Sequence, residues 1–135
     1  MPVELVNPPG IPDPVGYAQV GVATGTRTVY VSGQVARTAD GSPVGAGDLA
    51  GQVEQAYTNL LAALDGVGAT YADVAKVTAY VVNLNEDKLG PFVEGALRVA
   101  ATHGIDPTKP MTMIGVASLA EVDLLVEVEA VAVLP

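Results

Sequence analysis

Ten residues near the end of the chain, Leu124 to Val133, alternate so that Leu124, Val126, Val128, Ala130 and Ala132 share one side, while Leu125, Glu127, Glu129, Val131 and Val133 share the other. Side chains on a strand point alternately to opposite faces, so this run is a strand with one wholly apolar face and one mixed face. A fold built around it needs apolar cover on the first side and something less oily on the second. Two more runs have the same split. Val29, Val31 and Val35 oppose Tyr30, Ser32 and Gln34; Ala75, Val77, Ala79 and Val81 oppose Lys76, Thr78, Tyr80 and Val82.

Two amphipathic helices are available as cover. Between Asp48 and Asp65, apolar residues recur at Leu49, Val53, Ala56, Leu60 and Leu64, with Asp48 as N-cap and Gly66 and Gly68 closing the run. A second helix, capped by Asn85, runs through Leu89, Phe92, Ala96 and Val99 to Gly104, and Pro91 is tolerable in its first turn. His103, near its end, is read as a local cap and not as an acid or base. Residues 7–16, with four prolines and two glycines, form an extended arm, preceded by a short N-terminal strand. The runs Tyr17 to Ala23 and Thr28 to Ala36, separated by Thr24-Gly25-Thr26-Arg27, read as a hairpin. Met111 to Ser118 adds a strand. The glycines of residues 40–47 follow no strand directly, so they do not make a phosphate cradle.

The resulting order, β-β-α-β-α-β-β with the N-terminal strand in front, describes one α+β domain over residues 1–135 with both helices on one face of a mixed sheet. A chain of 135 residues buries about two-thirds of its unfolded surface, enough for one core without disulfides. The helices are used up on the first face. Because hydrophobic residues make up 50% of the chain and charged residues only 16%, the second face is too apolar for open solvent and is expected to be covered by further copies of itself. Tyr30 and Tyr80 on that face read first as packing residues.

Composition removes most function classes. There is no Cys and a single His, which excludes thiolate nucleophiles, zinc fingers, iron–sulfur clusters and a Ser-His-Asp triad; no metal or cofactor is expected. A net charge of −9 with no Trp and one Phe argues against nucleic acid as partner. No apolar run reaches eighteen residues and the first residues are not those of a signal peptide, so no membrane association and a cytoplasmic location are expected. The chemistry left is that of Glu127 and Glu129, about 7 Å apart along one strand face. Two anions cannot both be buried cheaply there, so at least one is expected to reach a wet cleft, pair with a donor or take up a proton.

Pro14-Val15-Gly16-Tyr17-Ala18-Gln19, Val29-Tyr30-Val31-Ser32-Gly33-Gln34, Leu60-Leu61-Ala62-Ala63-Leu64, Val74-Ala75-Lys76-Val77-Thr78 with Leu84-Asn85, and Val126-Glu127-Val128-Glu129-Ala130-Val131-Ala132 occur in the order and spacing of a known family. Over nearly its whole length the chain resembles the YjgF/RidA group. The resemblance implies a chorismate-mutase-like fold, a homotrimer with a central β-barrel, and a small-molecule ligand held between subunits. It also implies cofactor-free hydrolysis of reactive enamine or imine intermediates. By position, Glu127 is the residue that orients the attacking water, and Tyr17, Ser32 and Gly33 line the pocket. The family's carboxylate-gripping Arg does not carry over: Thr112 stands at its place, fifteen residues before Glu127. A hydroxyl does not reproduce a bidentate guanidinium clamp, so the resemblance implies an altered substrate class, with Arg37 or Lys109 as candidate replacement cations. The alternative is a small-molecule-binding trimer without catalysis.

Overall fold

A computed structural model describes residues 3–135. Two short strands, β1 (Val3–Val6) and β2 (Val20–Ala23), pair antiparallel at the N-terminus. The main sheet contains β3 (Arg27–Gln34), β4 (Val74–Val82), β5 (Met111–Val116) and β6 (Val126–Leu134) in the order β3-β6-β4-β5. Only the β4/β5 pair is parallel. Helix α1 (Leu49–Asp65) follows β3, and α2 (Leu89–His103) makes the crossover between the parallel strands. The expected mixed sheet with two helices is therefore present.

The alternation in β6 is realised along its whole length: Val126, Val128, Ala130, Ala132 and Leu134 are buried, and the residues between them are half-buried. Asp48 caps α1 through the Gly51 N–H at 3.2 Å, and α1 buries Val53, Ala56, Leu60 and Leu64 with Tyr57, which meets Phe92 of α2 edge-on at 6.3 Å between ring centres. Gly95 lets the two helices approach: a Cβ there would lie 2.5 Å from the Ala50 carbonyl oxygen. Asn85 caps a 3-10 turn, Glu86–Lys88, that leads into α2, and Gly104 ends α2 with φ near 65°. His103 is exposed in that last turn.

Two expectations are corrected. The run Tyr17 to Ala23 does not form a hairpin with β3. Its strand starts only at Val20 and pairs with β1, while β3 lies against β6, with Arg27 opposite Leu134 and Val31 opposite Ala130. The linking segment passes over the end of β6, where Thr26 N–H donates to the Leu134 carbonyl and Gly25 leaves no room for a side chain. Nine-residue β6 offers β3 a longer apolar partner than four-residue β2 does. The second correction is in β4. A bulge between Val74 and Lys76 shifts the register, so Val74 is buried and Ala75 is not.

Candidate functional site

The side of the sheet away from the helices is open. Register places Thr112, Thr78 and Glu129 in one row across β5, β4 and β6, and Ile114, Tyr80 and Glu127 in the next. The two glutamates are treated differently. Tyr80 donates its hydroxyl to Glu129 Oε1, and this bond, with some burial, raises the phenol above its ordinary pKa. Glu129 thus has the donor partner that an acid on this face requires. Glu127 is held by shape. The strand bulges between Val31 and Gln34, and there the Glu127 carboxyl lies against Gly33, so that a Cβ on Gly33 would come within 2.5 Å of Glu127 Cδ. Ser32 is exposed on the same bulge.

Side-chain amides of α1 hold both approaches to this contact. Gln52 is fully buried; its Nε2 donates to the Gly45 and Asp123 carbonyls at 3.1 and 3.0 Å, and its Oε1 accepts from Leu125 N–H at 2.9 Å. Asn59 Nδ2 donates to the Val35 and Arg37 carbonyls at 2.9 and 2.8 Å. The backbone entering Glu127 and the backbone leaving Gly33 are therefore fixed by one helix. These amides did not stand out in the sequence, where they are polar positions of an amphipathic helix.

Of the sequence candidates, Ser32, Gly33 and Glu127 come together at the β3/β6 side. Thr112 is on β5, two strand spacings from β6, or about 10 Å. Tyr17 is farther off. It lines a mainly apolar cavity of about 640 Å³ between the N-terminal arm, α2 and β5, with Tyr57, Phe92, Met111 and Met113. Within one protomer the five residues do not form a single pocket.

Neither cation proposed to replace the missing Arg is free to do so. The Arg37 guanidinium binds Asp123 at 2.7 Å and Glu121 at 2.9 Å. Lys109 is buried, with Nζ 3.3 Å from the Ala72 carbonyl and over the Tyr71 ring, and burial lowers its pKa. The cation beside Thr112 is Lys76, whose Nζ donates to Thr112 Oγ1 at 2.7 Å. Parity had put Lys76 on this face, but its neighbour became visible only with the parallel β4/β5 register. Among the described residues no three His, Asp or Glu side chains cluster as a metal ion would need, and no helix is long and apolar enough to cross a membrane.

The family described as Endoribonuclease L-PSP matches residues 12–134. The chain belongs to the YjgF/RidA family. Its relatives include 2-iminobutanoate/2-iminopropanoate deaminase of Dermatophagoides farinae, 28% identical over 109 residues that cover 77% of this chain and 84% of that protein. RutC family protein slr0709 of Synechocystis sp. is 30% identical over 137 residues, covering 100% and 99% of the two chains. Among solved structures, YyfB of Yersinia pestis, a protein of unknown function of the conserved Rid family, superposes with a TM-score of 0.87 at 37% identity, covering 99% of this chain and 100% of that one. For a YjgF/RidA protein, the α+β fold found here matches that of the family's solved structures.

Proposed function

We propose that this YjgF/RidA protein hydrolyses imines or enamines in crevices formed where copies of the chain, three in the family pattern, close their open sheet faces against one another. The observation that carries the reading is the unequal state of the two glutamates: Glu129 is occupied by Tyr80, and Glu127 is left with its carboxyl against a glycine backbone. An imine carbon is already electrophilic. Water held by Glu127 adds to it, giving one proton to the carboxylate, which passes it to the imine nitrogen to complete a carbinolamine; the carboxylate then takes that adduct's hydroxyl proton as the carbonyl forms and passes it to nitrogen, so that the C–N bond breaks and ammonia leaves. The products are a carbonyl compound and ammonia, and an enamine enters the same path after tautomerising. No cofactor takes part in these steps.

With Thr112 in place of an arginine, the substrate class is expected to differ from the 2-imino acids named for the mite relative. That same substitution is the one observation in favour of the second reading, a trimer that binds a small molecule without turning it over. Cleavage of RNA, suggested by the family's description, fits poorly with a charge of −9 and two glutamates on the open face.

The test is ammonia release from imines generated in situ, with and without a carboxylate, by the wild type and Glu127→Gln. Wild-type acceleration that falls about 100-fold or more in the variant is expected. No acceleration over the uncatalysed rate for any imine leaves the binding reading.

A further inference from the structure

The helix-facing side of β5 borders a cavity that the proposed chemistry does not use. It encloses about 640 Å³ between the N-terminal arm, α2, β5 and the loop before β5. Of the site residues carried over by position only Tyr17 borders it, from the arm; Ser32, Gly33, Thr112 and Glu127 do not. Met111 and Met113 line it, while Thr112 between them belongs to the open face. Helix α2 is apolar on two sides. Phe92, Ala96 and Val99 are buried, whereas Leu89, Val93 and Leu97, four residues apart on a neighbouring face, stay about half exposed and border the cavity.

A space of this size suits a small molecule, since ligand pockets run from about 300 to 1,000 Å³ and are mainly apolar, with a few polar groups that fix orientation. Here that group is Asp106, the only charged residue in the lining. Its carboxyl accepts from Thr108 N–H at 3.0 Å, and hydrogen bonds from Thr108 hold it below its ordinary pKa, so it is ionised at neutral pH. A carboxylate has about four acceptor sites. Among the described residues no cation lies within 4 Å of this one. Lys109, close by in sequence, is buried and gives its Nζ to the Ala72 carbonyl and the Tyr71 ring. With no Lys, Arg or His in the lining, an organic anion has nothing to meet there, whereas an ammonium has Asp106. Phe92, Met111 and Met113 are polarizable partners for the apolar remainder of such a ligand.

We infer that this cavity is a second binding site, for a small hydrophobic amine whose ammonium pairs with Asp106 at the rim and whose apolar body lies between α2 and the two methionines of β5. At about 30 Å³ per water-sized group the space holds about twenty heavy atoms, enough for an aryl-alkyl amine. The site stands whether or not Glu127 hydrolyses an imine, because Glu127 and Gly33 do not line it.

The experiment is a calorimetric titration of the intact protein with phenylbutylamine, the neutral phenylbutanol and the anionic phenylbutanoate, with the methyl resonances of Met111 and Met113 followed by NMR. The amine is expected to bind tightest and to shift both methyls, the alcohol to bind about fivefold more weakly and the acid most weakly. Asp106→Asn should bring the amine down to the alcohol's affinity and leave the alcohol's unchanged. Val93→Trp, at an exposed position, should close the mouth and abolish binding of both; equal melting temperatures establish that the variants are folded. Equal affinity for amine and acid, or amine binding untouched by Asp106→Asn, would overturn the inference. So would methyl resonances that respond to protein concentration and to no ligand, which would place a second copy of the chain in the cavity.

Discussion

The two faces of the main sheet are made from the same strands and meet different fates. Toward the helices, Val77, Ala79, Val81, Val126, Val128, Ala130 and Ala132 are almost wholly buried, and their only chemistry is packing. On the other side, the interleaved positions of β4 and β6 are half-buried and include Lys76, Tyr80, Glu127 and Glu129, while Tyr30 on β3 is 79% exposed. The first face is finished within one chain; the second has the groups on which the proposed chemistry rests. Packing and the proposed function are thus separated by a single residue step along each strand.

Substitutions should divide along the same line. The largest effect on stability is expected on the finished face: Leu60→Ala, at a fully buried position of α1, should cost about 2–5 kcal/mol in denaturant unfolding. Next is Gln52→Leu, which strands the Leu125 N–H and the Gly45 and Asp123 carbonyls. It should cost about 3 kcal/mol and also lower turnover, because it loosens the backbone that enters Glu127. A stability loss there with unchanged turnover would show that α1 braces the fold without positioning the site.

Gly33→Ala should behave in the opposite way. The added methyl collides with the far end of a flexible side chain, so the fold survives with a change of about 1 kcal/mol or less. Glu127 is displaced by about an ångström, and imine hydrolysis should fall about 100-fold. Normal turnover in a folded Gly33→Ala protein would break the link between that contact and catalysis.

The smallest effect belongs to the exposed bridge from Arg37 to Asp123 and Glu121. Arg37 holds the Asp123 carboxyl below the usual carboxylate range, so its contribution is complete above the unfolded value near pH 4 and is lost as pH falls through the lower folded value. The melting temperatures of wild type and Arg37→Ala should differ slightly at pH 6 and converge toward pH 3.

Much of this was legible in the chain. Strict alternation in β6 located its two faces, and the apolar spacing with Asp48, Gly66 and Gly104 located α1 and the end of α2, whereas Asn85 caps the 3-10 turn Glu86–Lys88, so that α2 itself starts three residues later than expected. Local signals failed where a long-range partner decided the outcome. The β2/β3 hairpin looked sound because Gly25 can turn a chain, but β6 was the better partner for β3 and arrives a hundred residues later. Parity alone puts Ala75 in the core; the bulge that moves it out leaves no mark of its own in the sequence. In the site, Glu127, Ser32 and Gly33 could be named from the resemblance, and the bulge at Ser32-Gly33 is visible only in the β3/β6 register. The division between Glu127 and Glu129 could not be read, since it depends on a tyrosine 49 residues away. Parity places Lys76 on the open face, but its bond to Thr112 is not legible in the chain, because that partner is on a strand beyond the second helix.

Association of the open faces is the claim on which the crevice, and so the proposed chemistry, depends. Light scattering coupled to size exclusion, at micromolar protein, tests it directly. The account predicts a particle of about 41 kDa, three times the 13.7 kDa of one chain. A homogeneous 13.7 kDa particle would contradict it.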